Sequence, residues 1–443
     1  MTGSLLLAAA LVFKGATVHT AAAPPIENGV VVVEEGRIVA VGGPDTPVPD
    51  GATVVDVTGK HLAPPFFSAA SLVGLAEIGA VKATVDVTEV GTINPEARPD
   101  VAFNLDSETL PVARANGVLY AALLPSGSVL PGSVSVMALD GWTREDACVR
   151  CPAAVALEWP RMSIDRSRGA RPPAKKQEKA RDEALATIRR AFQDARAFRA
   201  AKEAEGKPGV PAHDGVDSLA ALVPVLEGKV PLLVKARTKA EIDAFLKLLD
   251  GDLASEKVRA VLVSGEDAVL VAPELARRGI PLVVDGTLEL PERSDDPYDA
   301  AFTLPRDAAA AGLLVAVTAG SGLDGAWGAR NLPDHAARAA AYGLDRLEAL
   351  RSITLNPARI YGVEDRIGSL EAGKDGSLAV WSGDPLEITS RLEALYLKGR
   401  EVSLESRQTR LRDRYEARPR TGGVRPETPA VPAAAAAPSV PPR

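Results

Sequence analysis

The sequence predicts an α/β protein in which a large domain of parallel strands and helices stands beside a small β-domain formed by both chain ends. Its 443 residues exceed what one hydrophobic core usually organises, so a large domain with an appendage is expected. The composition is 46% hydrophobic but only 4% aromatic, which is typical of a core built from aliphatic side chains. Short strands at both ends and an alternation of strands and helices in the middle complete the prediction.

The two chain ends are predicted to share one β-domain. Alternating and β-branched residues between Gly, Pro, Asp and Asn indicate short strands, and Glu35-Gly36 forms a hairpin turn. Neither end has enough strands for a core of its own, so residues 11–62 and 366–404 are predicted to assemble together. The predicted strands are residues 11–18, 29–34, 37–41, 53–57, 377–381, 392–397 and 401–404.

The middle of the chain, residues 63–365, alternates between buried strands and amphipathic helices. This order implies parallel strands covered by helices, and a barrel fits the length. The predicted strands are residues 230–234, 258–263, 280–284 and 313–317, and the predicted helices are residues 239–249, 268–278 and 346–354.

Two segments depart from this rhythm. Residues 161–206 are a charged insertion, whose later part carries apolar side chains at one-face helical spacing. Its earlier part, residues 166–179, holds Gly, two Pro and many basic residues and is predicted to be a mobile loop. The tail, residues 421–443, is rich in Pro and Ala and is predicted to be disordered.

Charge and hydropathy exclude two classes of partner. The net charge of −7 argues against the basic surface that binding to nucleic acid requires. No apolar run approaches the roughly 18 residues of a membrane span. No Lys or Arg precedes the apolar run that begins within residues 1–10, so a cytoplasmic location is predicted; the alternative is export, if residues 1–10 are a truncated signal remnant. Cys148 and Cys151 lack the context of a redox or zinc site and are predicted to be structural.

Two stretches carry a family resemblance. Glu27-Asn28-Gly29 followed by VVVVEEGRIVAVG resembles the opening of the amidohydrolase superfamily, and ITLNPARIYGVEDRIGSLEAGKDGSLAVWSGDPLE, residues 353–387, resembles its closing segment, nearest to imidazolonepropionase-related members. The resemblance implies a (β/α)₈ TIM-like barrel with a small β-sandwich domain. It also implies hydrolysis of non-peptide carbon–nitrogen bonds in cyclic amides or amidines, with zinc or another divalent metal activating water.

The positions that match the family's metal ligands hold other residues here. The two histidines after the first barrel strand fall on Ala70 and Leu72, and those of the fifth and sixth strands fall on Lys235 and Ser264. The eighth strand offers no Asp, the nearest carboxylate being Asp324. The four histidines of the chain are scattered along it, which predicts no shared metal centre and no metal cofactor; they are His19, His61, His213 and His335.

Three functions remain open. A barrel that has lost catalysis could bind a small molecule at its mouth, or act as a partner subunit in a homo-oligomer or beside an intact homologue. An active hydrolase could instead use a rebuilt, metal-free site at the carboxyl ends of the strands, where Lys235, Arg237, Asp285 and Asp324 are the candidate residues. Ordinary metal-dependent hydrolysis is the third, which fold alone does not supply.

Overall fold

The computed structural model describes residues 10–207, 215–291, 293 and 295–418, and within them it contains two eight-stranded sheets. The strands are β1 (Leu11–Val18), β2 (Ile26–Glu34), β3 (Arg37–Gly42), β4 (Thr53–Asp56), β5 (His61–Ala63), β6 (Phe66–Ser71), β7 (Val118–Leu123), β8 (Ser133–Ala138), β9 (Cys148–Glu158), β10 (Leu232–Lys235), β11 (Ala260–Ser264), β12 (Leu282–Asp285), β13 (Val315–Thr318), β14 (Leu378–Trp381), β15 (Leu392–Leu397) and β16 (Arg400–Val402).

Helices fill most of the connections between barrel strands. The α-helices are α1 (Pro99–Ala102), α2 (Thr109–Arg114), α3 (Arg144–Ala147), α4 (Ala174–Ala204), α5 (Asp217–Leu226), α6 (Lys239–Asp250), α7 (Ala272–Arg277), α8 (Ala300–Ala310), α9 (Leu323–Gly328), α10 (Leu332–Ala341), α11 (Arg346–Ser352), α12 (Leu355–Tyr361) and α13 (Arg407–Glu416). Helix α13 belongs to a second compact unit that starts at Glu405, and its first turn is capped by the Ser406 hydroxyl.

The β-domain is formed by both chain ends, as the sequence predicts. Its strand order is β16-β15-β14-β5-β1-β2-β3, so the C-terminal strands join the N-terminal ones at the β14–β5 pair. All eight strands belong to one hydrogen-bonded sheet, because β1 pairs with β2 on one side and with β4 and β5 in succession on the other. Phe13 and Val12 belong to separate apolar clusters, which is the consequence of side chains alternating between the two faces.

The second sheet forms the barrel, in the order β6 to β13. The TIM-like prediction is confirmed, with one difference in strand direction: β8 is antiparallel to both β7 and β9. The connections 124–132 and 139–147 are too short for a parallel crossover, which needs a dozen or more residues. Strands β6 and β13 meet through the Thr318 hydroxyl, which donates to the Ala70 backbone carbonyl and lies 3.2 Å from the Ser68 hydroxyl.

Helix α6 illustrates how the local sequence builds the barrel's outer layer. Thr238 and Glu241 form a reciprocal capping box that satisfies the free N–H groups of its first turn. Ile242 and Phe245 recur at helical spacing and are fully buried. Phe67 of β6 is fully buried beside the rings of Tyr120 and Tyr361, with ring centroids 6.2 Å and 5.9 Å away.

The charged insertion contains the predicted amphipathic helix, but the preceding loop is shorter than predicted. Helix α4 begins at Ala174, directly after Pro173, so the second half of the predicted loop 166–179 is helical. Proline ends a loop of this kind because its fixed φ suits the start of a helix. Ile188 and Phe192 form the buried face of α4. The predicted disordered tail 421–443 and residues 1–9 lie outside the described residues.

The barrel and the β-domain are joined by arginines of α11. The Arg351 guanidinium donates to the carbonyl oxygens of Ala21 and Ala22, both at 2.7 Å. Arg346 reaches the Asp384 carboxylate after β14 at 2.9 Å. Charge-assisted hydrogen bonds are stronger than neutral ones. These bonds therefore stabilise the junction in addition to its apolar packing.

Candidate functional site

A cavity of about 260 Å³ opens at the barrel mouth, the face formed by the carboxyl ends of the parallel barrel strands. Lys235 is the last residue of β10 and Asp285 the last residue of β12, while Ser321 follows β13. The carboxyl ends of parallel strands meet at one face of a barrel, so these three side chains lie together. The cavity is lined by Lys235, Arg237, Gly265, Asp285, Gly286, Glu289, Leu290, Ala301, Leu304, Ala319, Gly320, Ser321, Gly322, Leu323, Asp324 and Gly325.

Ser321 links the lysine to the carboxylate. The Lys235 ammonium donates to the Ser321 hydroxyl at 2.7 Å, and that hydroxyl donates to Asp285 Oδ2 at 2.8 Å. The Ser321 backbone N–H donates to the other carboxylate oxygen at 2.6 Å. Lys235 Nζ itself lies 3.9 Å from Asp285 Oδ2, with side chains 26% and 16% exposed. The three residues form one hydrogen-bonded chain on the wall of the cavity.

Glu158, the last residue of β9, is a further charged group at the mouth and was not among the residues predicted from the sequence. It is the register partner of Lys235 in the β9–β10 pair. Burial raises the pKa of the Glu158 carboxyl, while the attraction of the Lys235 charge lowers it. The signal was present in the sequence, because the apolar run at residues 153–157 ends on this carboxylate as a buried parallel strand does at the mouth of a barrel.

All four candidate residues predicted from the sequence line this one cavity. Arg237 lies two residues beyond β10, and its backbone N–H donates to the Glu241 carboxylate at 2.8 Å. Asp324 lies in the first turn of α9 and is exposed. The mouth therefore carries two basic and several acidic groups around a partly apolar pocket.

Of the other positions predicted to match the family's metal ligands, Ala70 lies in β6, Leu72 follows β6 and Ser264 ends β11. Ala70 and Leu72 are buried and offer no donor atom, and the Ala70 carbonyl accepts the Thr318 hydroxyl. The Ser264 hydroxyl is buried and donates to the Arg237 carbonyl at 3.4 Å. Ala70 and Leu72 have no side-chain atom that could coordinate a divalent metal, and the Lys235 ammonium would repel one. This set of side chains therefore does not fit a divalent metal. Across the described residues, no three His, Cys, Asp or Glu side chains are grouped as metal ligands.

Two of the histidines are not scattered as predicted. His19 Nε2 and His61 Nδ1 are 2.7 Å apart and their rings stack, because β1 and β5 are neighbours in the β-domain sheet. Burial lowers the pKa of His19. His335 of α10 is buried elsewhere, and its Nδ1 accepts from the Thr287 backbone N–H at 3.0 Å. His213 lies outside the described residues.

The two cysteines, predicted to be structural, form a disulfide. The bond joins Cys148, the first residue of β9, to Cys151 in the same strand. It lies at the opposite end of β9 from Glu158, and therefore away from the barrel mouth.

None of the helices in the described part of the chain is both long and apolar enough to span a bilayer.

Comparison with known proteins agrees with the fold and with the resemblance of the closing segment. Residues 247–404 match the family model of the amidohydrolase family. The chain is 44% identical over 55 residues to an imidazolonepropionase of Sphingopyxis alaskensis, and 36% identical over 64 residues to amidohydrolase tasK of Hapsidospora irregularis. These segments cover 12% and 14% of this chain and only 14% and 6% of the two relatives.

The likeness extends over the whole fold in a solved structure. The crystal structure of an amidohydrolase from Thermotoga maritima superposes with a TM-score of 0.78 and 27% identity, covering 89% of this chain and 99% of that one. The barrel order, the β-domain built from both ends and the match over residues 247–404 lead to one conclusion. Residues 247–404 belong to the amidohydrolase family, and the chain as a whole has the fold of a solved amidohydrolase structure.

Proposed function

We propose that the barrel mouth binds a small polar molecule and does not carry out the metal-dependent hydrolysis that the family resemblance implies. The observation that supports this most is the Lys235 ammonium, which stands at a position matching an imidazole ligand and is held there by Ser321 and Asp285. Hydrolysis of cyclic amides or amidines in this superfamily relies on a metal to activate water near neutral pH.

Charge explains why Lys235 opposes a metal. A divalent ion about 4 Å from a protonated ammonium is repelled by roughly 8 kcal/mol at an effective dielectric constant of about 20. This cost cancels most of the roughly 10 kcal/mol that zinc contributes in a good structural site. Ala70 and Leu72 would contribute no ligand to offset it.

The cavity suits a small ligand that accepts hydrogen bonds. Within the described chain the ammonium donates one side-chain hydrogen bond, to Ser321, and an ammonium has three donors. A ligand oxygen can accept from Lys235, and the walls formed by Leu304 and Leu323 can cover an apolar part. With about 260 Å³, the cavity lies just below the usual range for ligand pockets.

The first experiment is elemental analysis of gently purified protein, followed by melting curves with and without a strong chelator. We expect no stoichiometric metal. Because removal of a bound metal lowers the stability of the folded protein, a protein that holds none should keep its melting temperature when the chelator is added. Near-stoichiometric zinc, nickel or manganese, lost on chelation together with stability, would restore the ordinary hydrolase function.

A second candidate is a metal-free hydrolase, which the Lys235–Ser321–Asp285 chain favours. The Ser321 hydroxyl is hydrogen-bonded to a carboxylate that can accept its proton and lies next to a cation. A panel of cyclic amides and amidines incubated with chelated protein tests it. Turnover that Ser321→Ala abolishes would favour this candidate over simple binding.

Partner and location are also proposals. A partner-subunit role, in a homo-oligomer or with an intact homologue, is tested by light scattering of the isolated chain and of a mixture with such a homologue. The Cys148–Cys151 disulfide supports export to an oxidising compartment over the cytoplasmic location, because intracellular reductants keep most thiols reduced. Thiol counting on protein taken from each cell fraction distinguishes the two.

A further inference from the structure

We propose that Lys235 is a built-in cation, which supplies at this barrel mouth the positive charge that a bound metal supplies in metal-dependent barrels, and which holds three strand ends in place. The inference rests on the proposed function, because it presupposes a mouth without a metal. It names the residue that makes the mouth metal-independent.

The first support is the position of the ammonium. The groups that interact with it come from three other barrel strands: Glu158 ends β9 and interacts electrostatically, Asp285 ends β12, and Ser321 follows β13. Glu158 is the register partner of Lys235, and Asp285 is the register partner of Thr318 at the end of β13. One cation therefore stands among strand ends that hydrogen-bonded pairing has already brought together.

The second support is the charge that Lys235 balances. The Asp285 carboxylate accepts hydrogen bonds from the Ser321 hydroxyl and the Ser321 N–H, and it forms an ion pair with the Lys235 ammonium at 3.9 Å. Without Lys235, the partly buried carboxylates of Asp285 and Glu158 would lose the positive charge of this ammonium. Removing one partner of such a pair leaves an uncompensated charge, which costs more than the pair contributes.

Other charged groups at the mouth do not replace this cation. Glu289 and Asp324 line the same cavity and add negative charge, while Arg237 is the other basic side chain there. Without Lys235, Arg237 would be the one basic side chain among these described groups, against the carboxyl groups of Glu158, Asp285, Glu289 and Asp324. The ammonium therefore offsets part of an excess of negative charge at the mouth.

The test compares the stability of the wild type, Lys235→Met and Lys235→Arg over pH, using the full chain. Methionine keeps the packing of the stem and removes the charge, so we expect its melting temperature to fall by about 3 °C or more near pH 8. Burial raises the pKa of the Glu158 carboxyl, and its protonation on acidification removes part of the unpaired charge, so the deficit should shrink toward about pH 5. Lys235→Arg should stay near the wild type throughout.

Lys60→Met is the matched control, since Lys60 forms one exposed pair with Glu393 at 2.7 Å and should show no such dependence on pH. A deficit of Lys235→Met that stays constant with pH would reduce Lys235 to a packing role and overturn the inference.

A second readout uses Lys235→Ala, purified in n-propylammonium chloride, whose cation matches the atoms that the substitution removes. We expect a saturable rise in the melting temperature of this variant with n-propylammonium, and none with n-propanol or for Lys60→Ala. An equal response of all samples would overturn the inference. Stoichiometric metal in the wild type would instead refute the proposed function, so the two failures are distinguishable.

Discussion

Acidification from about pH 7 to about pH 4 should weaken the fold through His335, because this buried imidazole cannot be protonated without losing a hydrogen bond. His335 is 4% exposed. Its Nδ1 lies 3.0 Å from the Thr287 backbone N–H, and a backbone N–H can only donate. The neutral ring must therefore carry its proton on Nε2, and a second proton would have to enter at the occupied Nδ1.

The size of the effect follows from the pKa. Burial, together with the charge of Arg338, lowers the pKa of His335 from 6.5 to about 4. In the unfolded chain the ring gains its proton near its ordinary pKa, whereas in the folded chain it gains it only near pH 4. The unfolded state therefore binds more protons between these values, and stability is lost as the pH falls through this window. The full loss is about 3 kcal/mol.

The assay is urea unfolding of the wild type and His335→Asn at a series of pH values. Asparagine places an amide oxygen near the position of Nδ1, keeps the acceptor for Thr287 and does not titrate. We expect the stability difference between the two proteins to be constant above about pH 7 and to move by about 3 kcal/mol in favour of the variant by about pH 4. Parallel curves over this range would refute the reasoning. His19, whose pKa is also lowered, is present in both proteins and cancels.

Three further perturbations test the packing. Arg351→Ala removes two charge-assisted hydrogen bonds across the junction and should lower the free energy of unfolding by about 3 kcal/mol, measured by urea titration; an unchanged midpoint would contradict the junction role. Phe67→Ala should cost about 4 kcal/mol because the side chain is fully buried beside two rings, while Phe67→Leu should cost clearly less. Reducing the Cys148–Cys151 bond should cost only about 2 kcal/mol, because the loop it closes is short, and a loss of all structure on reduction would show otherwise.

The fold was largely predictable because its strands and helices follow local patterns. The valines of β2 and the helical spacing of Ile242 and Phe245 reflect which face of each element meets the core. The direction of β8 was not predicted, because β7 and β8 were not among the predicted strands, and the short connections that make β8 antiparallel become visible only once the bounds of both strands are known. The predicted start of α4 was too late, because the basic residues after Pro173 form a solvated first part of the helix. That part has no apolar periodicity from which a helix could be predicted.

By itself, the sequence determined that Lys235 and Asp285 would stand at strand ends, since an apolar run that stops at a charged residue marks where a buried strand emerges. It also determined that Ala70 and Leu72 offer no metal ligand. Only the tertiary structure decided that Ser321 links Lys235 to Asp285 and that His19 contacts His61. The physical reason is that strand order and barrel closure set distances between residues far apart in the chain, and no local pattern encodes those distances.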